Sequence, residues 1–324
     1  NHIFKPTFLQ FIMVKTKALV LFSGGLDSRL VVKMLQEQKL DVELLYFKLP
    51  FGCGCCNNTE CNFNFSQLHG AKLNIVDCTR GKLFEEYLEV IKNPKFGRGN
   101  AINPCIDCKI FMFKKAKEYA DAQKPKIKII ATGEVLGERP MSQTGHAMKK
   151  IDTDIGYELL RPLSAKLLPE TQVEKEKLVD RSKFLDIQGR KRQIQIALAK
   201  KYDIKFPMPA GGCLLCEKIY AGRLRDLIKN EKNISPELLS TIANFRHFRS
   251  KNNTKVILGR NQEENTMLET LAKQLKYNLI IPKDNPGPTA IYQNSKDKKL
   301  AEELIEIYSS KDLELRKKYE GIRL

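Results

Sequence analysis

The 324-residue sequence has no run of 18 apolar residues, so no segment is expected to span a membrane. It has four histidines, His2, His69, His146 and His247, and they form no cluster. A histidine-held metal or a Ser-His-Asp triad therefore has little support. There is no internal repeat and no low-complexity tract, which sets aside a solenoid reading. Acid is in short supply: 38 Asp and Glu face 56 Lys and Arg, for a net charge of +18. Such an excess points to a polyanionic partner, most often nucleic acid, with a merely solvated lysine surface as the plain alternative. The nine cysteines are odd in number, and a secreted disulfide framework does not suit a chain this long and lysine-rich. Cytoplasmic thiols that bind metal or carry chemistry fit better. No Met stands at position 1; Met13 reads as a natural start and residues 1–15 as a leader or disordered stretch. The piece FLQFIMV is short and is followed by Lys15 and Lys17, unlike a signal peptide.

What is present is an alternation. KALVLF (17–22), DVELLYFKL (41–49), AKLNIVDC (71–78) and KIKIIATGE (126–134) read as strands. Between them LVVKMLQEQK (30–39), KLFEEYLEVIK (82–92) and IFMFKKAKEYADA (110–122) read as helices. This pattern predicts an α/β fold with a doubly wound, mainly parallel sheet over 16–175. Ligands bind such sheets beyond the carboxyl ends of the strands. From 165 to 235 the pattern reads as mostly helical, and 176–245 forms a basic segment. Its stretch 181–201 holds seven Lys/Arg and one Asp. Residues 236–250 read as a helix running into a polar break. Over 246–324 a smaller α/β domain is expected, with strands at 254–259, 277–282 and 289–293 and helices at 262–276 and 296–309.

Three stretches carry chemistry. SGGLDS (23–28) ends the first strand and opens a helix. Such a turn presents free N–H groups at the positive end of the helix dipole, and Gly24 and Gly25 let a phosphate approach. Ser23 and Ser28 add hydroxyls, and Asp27 suits a phosphate-bound Mg2+. No Gly-Lys-Ser/Thr follows, so this is not the P-loop pattern. NPCIDCK (103–109) places Cys105 and Cys108 at a helix start beside Lys109 and near Arg98, where a thiolate is stabilised. GGCLLCEK (211–218) repeats the spacing with Cys213 and Cys216, about a hundred residues on. Two such pairs are a four-thiolate signature for zinc or an iron–sulfur cluster. Cys53, Cys55, Cys56 and Cys61 match no zinc spacing and read equally as an accessory site or a nonessential loop. Cys78 reads as a buried small residue.

Together these motifs resemble a PP-loop tRNA thiouridine synthase. SGGLDS, TGEVLG (132–137) with Ser142-Gln143-Thr144, and LRPL (160–163) are similar to the catalytic half of ThiI-type 4-thiouridine synthases. NPCIDCK also resembles the cysteine segment of MnmA-type 2-thiouridine synthases. The resemblance covers about 16–220 and implies ATP and Mg2+ bound by Ser23, Gly24, Gly25, Asp27, Ser28, Thr132 and Gly133. By the MnmA-type comparison Cys108 and Cys213 are the catalytic cysteines; by the ThiI-type pattern Cys105 takes that place. The additional cysteines resemble those of thiolation enzymes that hold a 4Fe-4S cluster through Cys105, Cys108, Cys213 and Cys216, with zinc the other candidate. There is no RNA-binding THUMP domain before the loop and no rhodanese domain after it. The C-terminal segment instead resembles the RNA-binding module of NFACT proteins.

The implied reaction adenylates a tRNA uridine carbonyl and then replaces its oxygen with sulfur, 4-thiouridine being favoured over 2-thiouridine. The sulfur donor is a cysteine desulfurase or sulfide. Residues 241–260, with five Lys/Arg, no acid and Phe245 and Phe248 interleaved, are expected to grip RNA, the two rings serving either as core or as stacking surfaces. A PP-loop ligase or amidotransferase would share the loop but not need the cysteine pairs. A zinc-bound RNA-binding protein would need no Asp27.

Overall fold

The computed structural model describes residues 15–52, 59–99, 101–207, 212–282, 286–310 and 314–324. Residues 1–14 of the expected leader, and Cys53, Cys55 and Cys56, lie outside these. Two compact units emerge, each with its own sheet. One falls within Asn1–Lys48, Gly54–Asp77 and Cys105–Ala210, the other within Leu49–Cys53, Cys78–Pro104 and Gly211–Leu324. The basic segment 176–245 is shared between them.

In chain order the first elements are β1 (Lys17–Leu21), α1 (Leu26–Glu37), β2 (Asp41–Lys48), α2 (Thr59–Leu68), β3 (Lys72–Asp77), α3 (Gly81–Lys92), α4 (Cys105–Ala122), β4 (Ile129–Thr132), α5 (Gly145–Ile155), α6 (Gln172–Lys175) and α7 (Gln193–Lys201). Then come α8 (Lys218–Asn230), α9 (Pro236–Thr241), β5 (Arg246–Arg249), β6 (Lys255–Leu258), α10 (Gln262–Leu275), β7 (Asn278–Ile280), β8 (Ala290–Tyr292), α11 (Lys298–Ser309) and α12 (Glu314–Lys317).

The first unit is the expected parallel sheet, in the order β3-β2-β1-β4. Ala18 of β1 sits opposite Val42 on one side and Ile129 on the other. The chain winds from β1 to one edge and returns with β4 on β1's other side. That reversal opens a crevice beyond the carboxyl ends of β1 and β4. Strands covered on both faces read as unbroken apolar runs, and β1 from Ala18 onward and all of β4 are buried. Helix α1 is buried nearly all round, through Leu26, Leu30, Val31, Val32, Met34 and Leu35. Each such side chain contributes about 1.5–3 kcal/mol by leaving water.

Val179, Phe184, Ile187, Ala199 and Ile204 enter the same core as Val20 and Leu30. The expectation of a mostly helical stretch from 165 fails up to Arg192, where α6 and two single 3-10 turns are the regular pieces. Pro162, Pro169 and Gly189 interrupt it, and its apolar side chains reach the core from extended backbone rather than from a helix face.

The second unit carries an antiparallel sheet in the order β5-β6-β8-β7. Alternation decides its two faces. Val256, Leu258, Ala290 and Tyr292 pack with Ala301 and Leu304 of α11, while Ile257 and Ile291 pack with Leu268, Leu271 and Ala272 of α10. The reading of 236–250 as a helix into a polar break misses β5, since α9 stops at Thr241 and the backbone turns through Phe245 at φ +62°. Phe245 and Phe248 are 1% and 0% exposed, so both rings are core and neither is available to stack on a base.

Lys255 of β6 has no exposed surface, and its Nζ sits 3.0 Å from Asp226 Oδ2 of α8. Arg249 of β5 donates to both oxygens of the same carboxylate, at 2.9 and 2.5 Å. Burial pulls the Lys255 ammonium down to about 8 despite Asp226. Removing the shared carboxylate strips Lys255 of its ion pair and leaves Arg249 with Glu231 alone, at 3.0 Å. Asp226→Ala is therefore expected to destabilise the unit by about 3–5 kcal/mol, and Asp226→Leu with Lys255→Met to recover most of that. Chemical denaturation of the three proteins measures both.

Candidate functional site

β1 ends at Leu21, and SGGLDS opens directly into the crevice between β1 and β4. Gly24 takes φ +79°, a conformation side chains resist, and a methyl group there would stand 2.0 Å from Asn62 Oδ1. Gly25 is the N-cap of α1 and brings no side chain to its free N–H groups. Ser28 Oγ donates to Gly25 O at 2.9 Å and lies 3.4 Å from Ser23 Oγ. The turn is clamped from behind by Arg29, a buried residue that motif reading passed over. Its Nε donates to Gly24 O at 2.7 Å, and its other nitrogens donate to Lys205 O at 2.9 Å and Cys61 Sγ at 3.0 Å. The guanidinium lies 4.7 Å over the Phe65 ring.

The TGE segment after β4 meets this turn. A methyl group on Gly133 would stand 2.7 Å from Ser28 N and 2.8 Å from Asp27 C, so glycine is what allows the two backbones to touch. Thr132 is buried beside it and holds the sheet's extension through its N–H to Leu160 O, 2.9 Å. The seven residues expected to bind nucleotide are thus brought to one place in the first unit.

Glu134, the next residue, is buried and joins three motifs. Lys109 Nζ of NPCIDCK lies 2.5 Å from its Oε1, and Arg161 Nε of LRPL lies 2.9 Å from its Oε2. Arg161 also grips Asp152 of α5 with two bonds of 2.8 Å. Burial pushes the Glu134 carboxyl up, but the Lys109 and Arg161 charges outweigh it and hold the group below the usual range. Lys109 therefore answers a carboxylate. Arg98 donates to Ile91 O at 3.0 Å and Lys92 O at 2.7 Å, at the end of α3.

Asp27 Oδ1 is buried and has no hydrogen-bond partner. Burial, and then the Glu138 charge, push its carboxyl up to about 6. Arg192 and the Gln195 amide pull the other way, although neither Gln195 amide atom reaches hydrogen-bonding geometry. Arg192 Nη2 is 2.9 Å from Glu138 Oε1. Nearby, Asn62 Nδ2 and Gln143 Oε1 are likewise buried without partners. An orphaned carboxylate oxygen at a helix start fits a hard cation carried on phosphate, so the residues present suit Mg2+. An open cleft of about 540 Å3 is lined by Gly137, Thr144, Gly145, Gly189, Arg190 and Lys191. Residues 188–195 went unnoticed as site residues because QIQI carries no motif.

The cysteines divide. Cys105 and Cys108 occupy the first turn of α4 in the first unit, and both are half-buried. Cys213 and Cys216 are exposed and bracket a 3-10 turn in the second unit. That turn is docked by Leu214 N–H to Phe51 O, 3.3 Å, and by Ile102 N–H to Leu215 O, 3.2 Å. Each pair offers sulfurs three residues apart, donors suited to zinc or iron. Among the described residues no three His, Cys, Asp or Glu side chains group as a metal site. Cys78 is buried, as expected.

The expected RNA grip at 241–260 is largely spent within the fold. Arg249 and Lys255 serve Asp226, Arg260 Nε donates to Glu264 Oε1 at 2.7 Å, and Arg246 donates to Gly259 O at 2.6 Å. By contrast Lys183, Arg190, Lys191, Lys200 and Lys201 of the first unit are exposed.

A glycine turn with an acid in place of lysine, set at the switch point of a parallel sheet, defines a PP-loop protein. The family model described as Thiamine biosynthesis protein (ThiI) matches residues 13–185, more than half of the chain, and the chain belongs to that family. A second model, NFACT protein RNA binding domain, matches 246–318. No curated protein matches the sequence. Among solved structures the chain is similar to the U34-tRNA thiolase NcsA from Methanococcus maripaludis with its 4Fe-4S cluster, at 16% identity over 71% of this chain and 72% of that one, TM-score 0.36. It is also similar to a predicted subunit of tRNA methyltransferase from Methanocaldococcus jannaschii, at 18% identity over 46% and 67%, TM-score 0.32.

With Asp27 near 6 when folded and about 4 when unfolded, the folded chain holds more proton between those values. Its stability falls as pH rises through that window. Asp27→Asn is expected to melt above the wild type at neutral pH and level with it near about pH 4. Thermal melts at both pH values check this. Gly133→Ala is expected to melt below the wild type, because its methyl group would press on Ser28 N and Asp27 C; the same melts measure it.

Proposed function

We propose that this protein is an ATP-dependent tRNA sulfurtransferase, working in the cytoplasm, that exchanges a uridine carbonyl oxygen for sulfur. The observation that carries the reading is the SGGLDS turn, clamped by Arg29 and touched by Gly133, with Asp27 Oδ1 buried and unpaired beside it. A turn without lysine suits gripping a pyrophosphate that departs, rather than a γ-phosphate that is transferred. Membership of the ThiI family supports sulfur transfer as the purpose of that activation.

The uridine oxygen attacks the α-phosphorus of ATP, and the bond to the β-phosphate oxygen breaks. N–H groups of the first turn of α1, with Ser23 and Ser28, receive the charge gathering on pyrophosphate. Mg2+ held by Asp27 would neutralise part of it. Sulfur then adds to the activated carbon, and AMP leaves with the former carbonyl oxygen. Either a persulfide on Cys108 or Cys213 adds its outer sulfur, and a second cysteine thiolate cleaves the S–S bond to free the product and form a disulfide, or these two with Cys105 and Cys216 would hold a 4Fe-4S cluster or zinc, the sulfur then coming as sulfide. We favour the cluster, because two three-residue-spaced thiol pairs exceed what a single persulfide needs. 4-Thiouridine is the favoured product.

The exposed cations at 183–201 and the domain matched over 246–318 support tRNA as partner. Nucleoside mass spectrometry of tRNA from a deletion strain is expected to show loss of 4-thiouridine. Wild-type protein should restore it, and Asp27→Ala or Cys108→Ser should not. An unchanged nucleoside profile would refute the reading; loss of a 2-thiouridine would change only the product. Anaerobic purification is expected to yield iron–sulfur absorbance that Cys105→Ser and Cys213→Ser abolish, with stoichiometric zinc as the contrary result. Affinity for tRNA should fall linearly on a log–log salt plot. Arg190→Glu with Lys191→Glu should reduce that slope by about 2, whereas Arg249→Glu should act on stability.

A further inference from the structure

Gln195 lies on α7, which packs against α1 behind the SGGLDS turn. It is 0% exposed, and neither Nε2 nor Oε1 has a hydrogen-bond partner. A buried amide with both ends unmade is costly, so natural chains keep few of them without a purpose. The position is held rather than incidental. Arg192, the N-cap of α7, is pinned at 2.9 Å to Glu138, which is 8% exposed and belongs to the loop after β4. That pair fixes the first turn of α7 against the loop that also supplies Gly133. The Asp27 carboxylate lies beside Gln195, lacks a partner at Oδ1, and is held down by Arg192 and the Gln195 amide against its burial.

We propose that Gln195 is a positioning residue for the Mg2+-bearing phosphates of ATP, its amide completing the site that the SGGLDS turn begins. This rests on the ATP reading of the turn. The chemistry of the orphaned atoms selects the ligand. Nε2–H needs an acceptor, Oε1 needs a donor, and a buried carboxylate oxygen needs a cation. Phosphate oxygens accept, water bound to Mg2+ donates, and the metal balances Asp27. Trapped water alone would serve the amide but leave the carboxylate only partly compensated, by Arg192. The amide thus costs stability in the empty protein and returns it when Mg–ATP is bound.

The test compares wild type with Gln195→Met, which keeps the side chain's length and removes both polar atoms. Melting temperature without nucleotide and Mg–ATP affinity by calorimetry are measured on the full chain. The expected result is a higher melting temperature together with about tenfold weaker Mg–ATP binding. Gln195→Glu adds a charge beside Asp27 and is expected to weaken ATP binding in a way that rising Mg2+ relieves. Wild-type affinity retained in Gln195→Met, with unchanged Mg2+ dependence in Gln195→Glu, would overturn the inference and leave the ATP reading standing. A wild type that does not bind Mg–ATP would overturn both.

Discussion

The buried carboxylate of Glu134 is the constraint on which the site's assembly depends. It follows Gly133 at the end of β4 and receives Lys109 from α4 and Arg161 from the strand-like segment beside β4. Arg161 passes the link to Asp152 on α5. Charges this deep are tolerable only when paired and fully bonded, so the three motifs cannot shift independently. The first turn of α4, with Cys105 and Cys108, is anchored to the residue next to the one that touches the phosphate turn. The SGGLDS turn and the first cysteine pair therefore share a rigid base.

Around that base the polar accounting is uneven. The Glu134 network and the Arg29 clamp satisfy most of their buried atoms. Asp27, Gln195, Gln143 and Asn62, gathered near the turn, do not. The second unit also keeps buried atoms without partners, at His247 Nδ1, Asp297 Oδ2 and Arg316 Nε. There Asp226 binds Arg249 and Lys255 tightly, and the sheet's two faces are closed by α10 and α11.

Much of the first unit was legible in its sequence because its signals are local. The β1 and β4 runs are apolar since both faces of the sheet are covered, and SGGLDS announces a turn that only glycine conforms to. β5 was not legible. RHFR is too short to show a period, and its arginines resemble an RNA surface until Asp226 and Tyr308 are seen beside them. Of the stretch from 165 read as mostly helical, the part up to Arg192 was misread, because its apolar residues are dense but most serve the core from outside any long helix.

The sequence by itself determined the parallel α/β fold, the phosphate turn and the two thiol pairs, since each depends on residue type at short spacing. Only the tertiary structure decided the fate of the charges. Lys109 serves Glu134, Arg249 and Lys255 serve Asp226, while Lys183, Arg190, Lys191, Lys200 and Lys201 stay exposed. It also decided that Gln195, one polar residue among several in QIQI, is the buried one. A charge or an amide acquires its role from the partner that burial brings or withholds, and that partner lies far away in the chain.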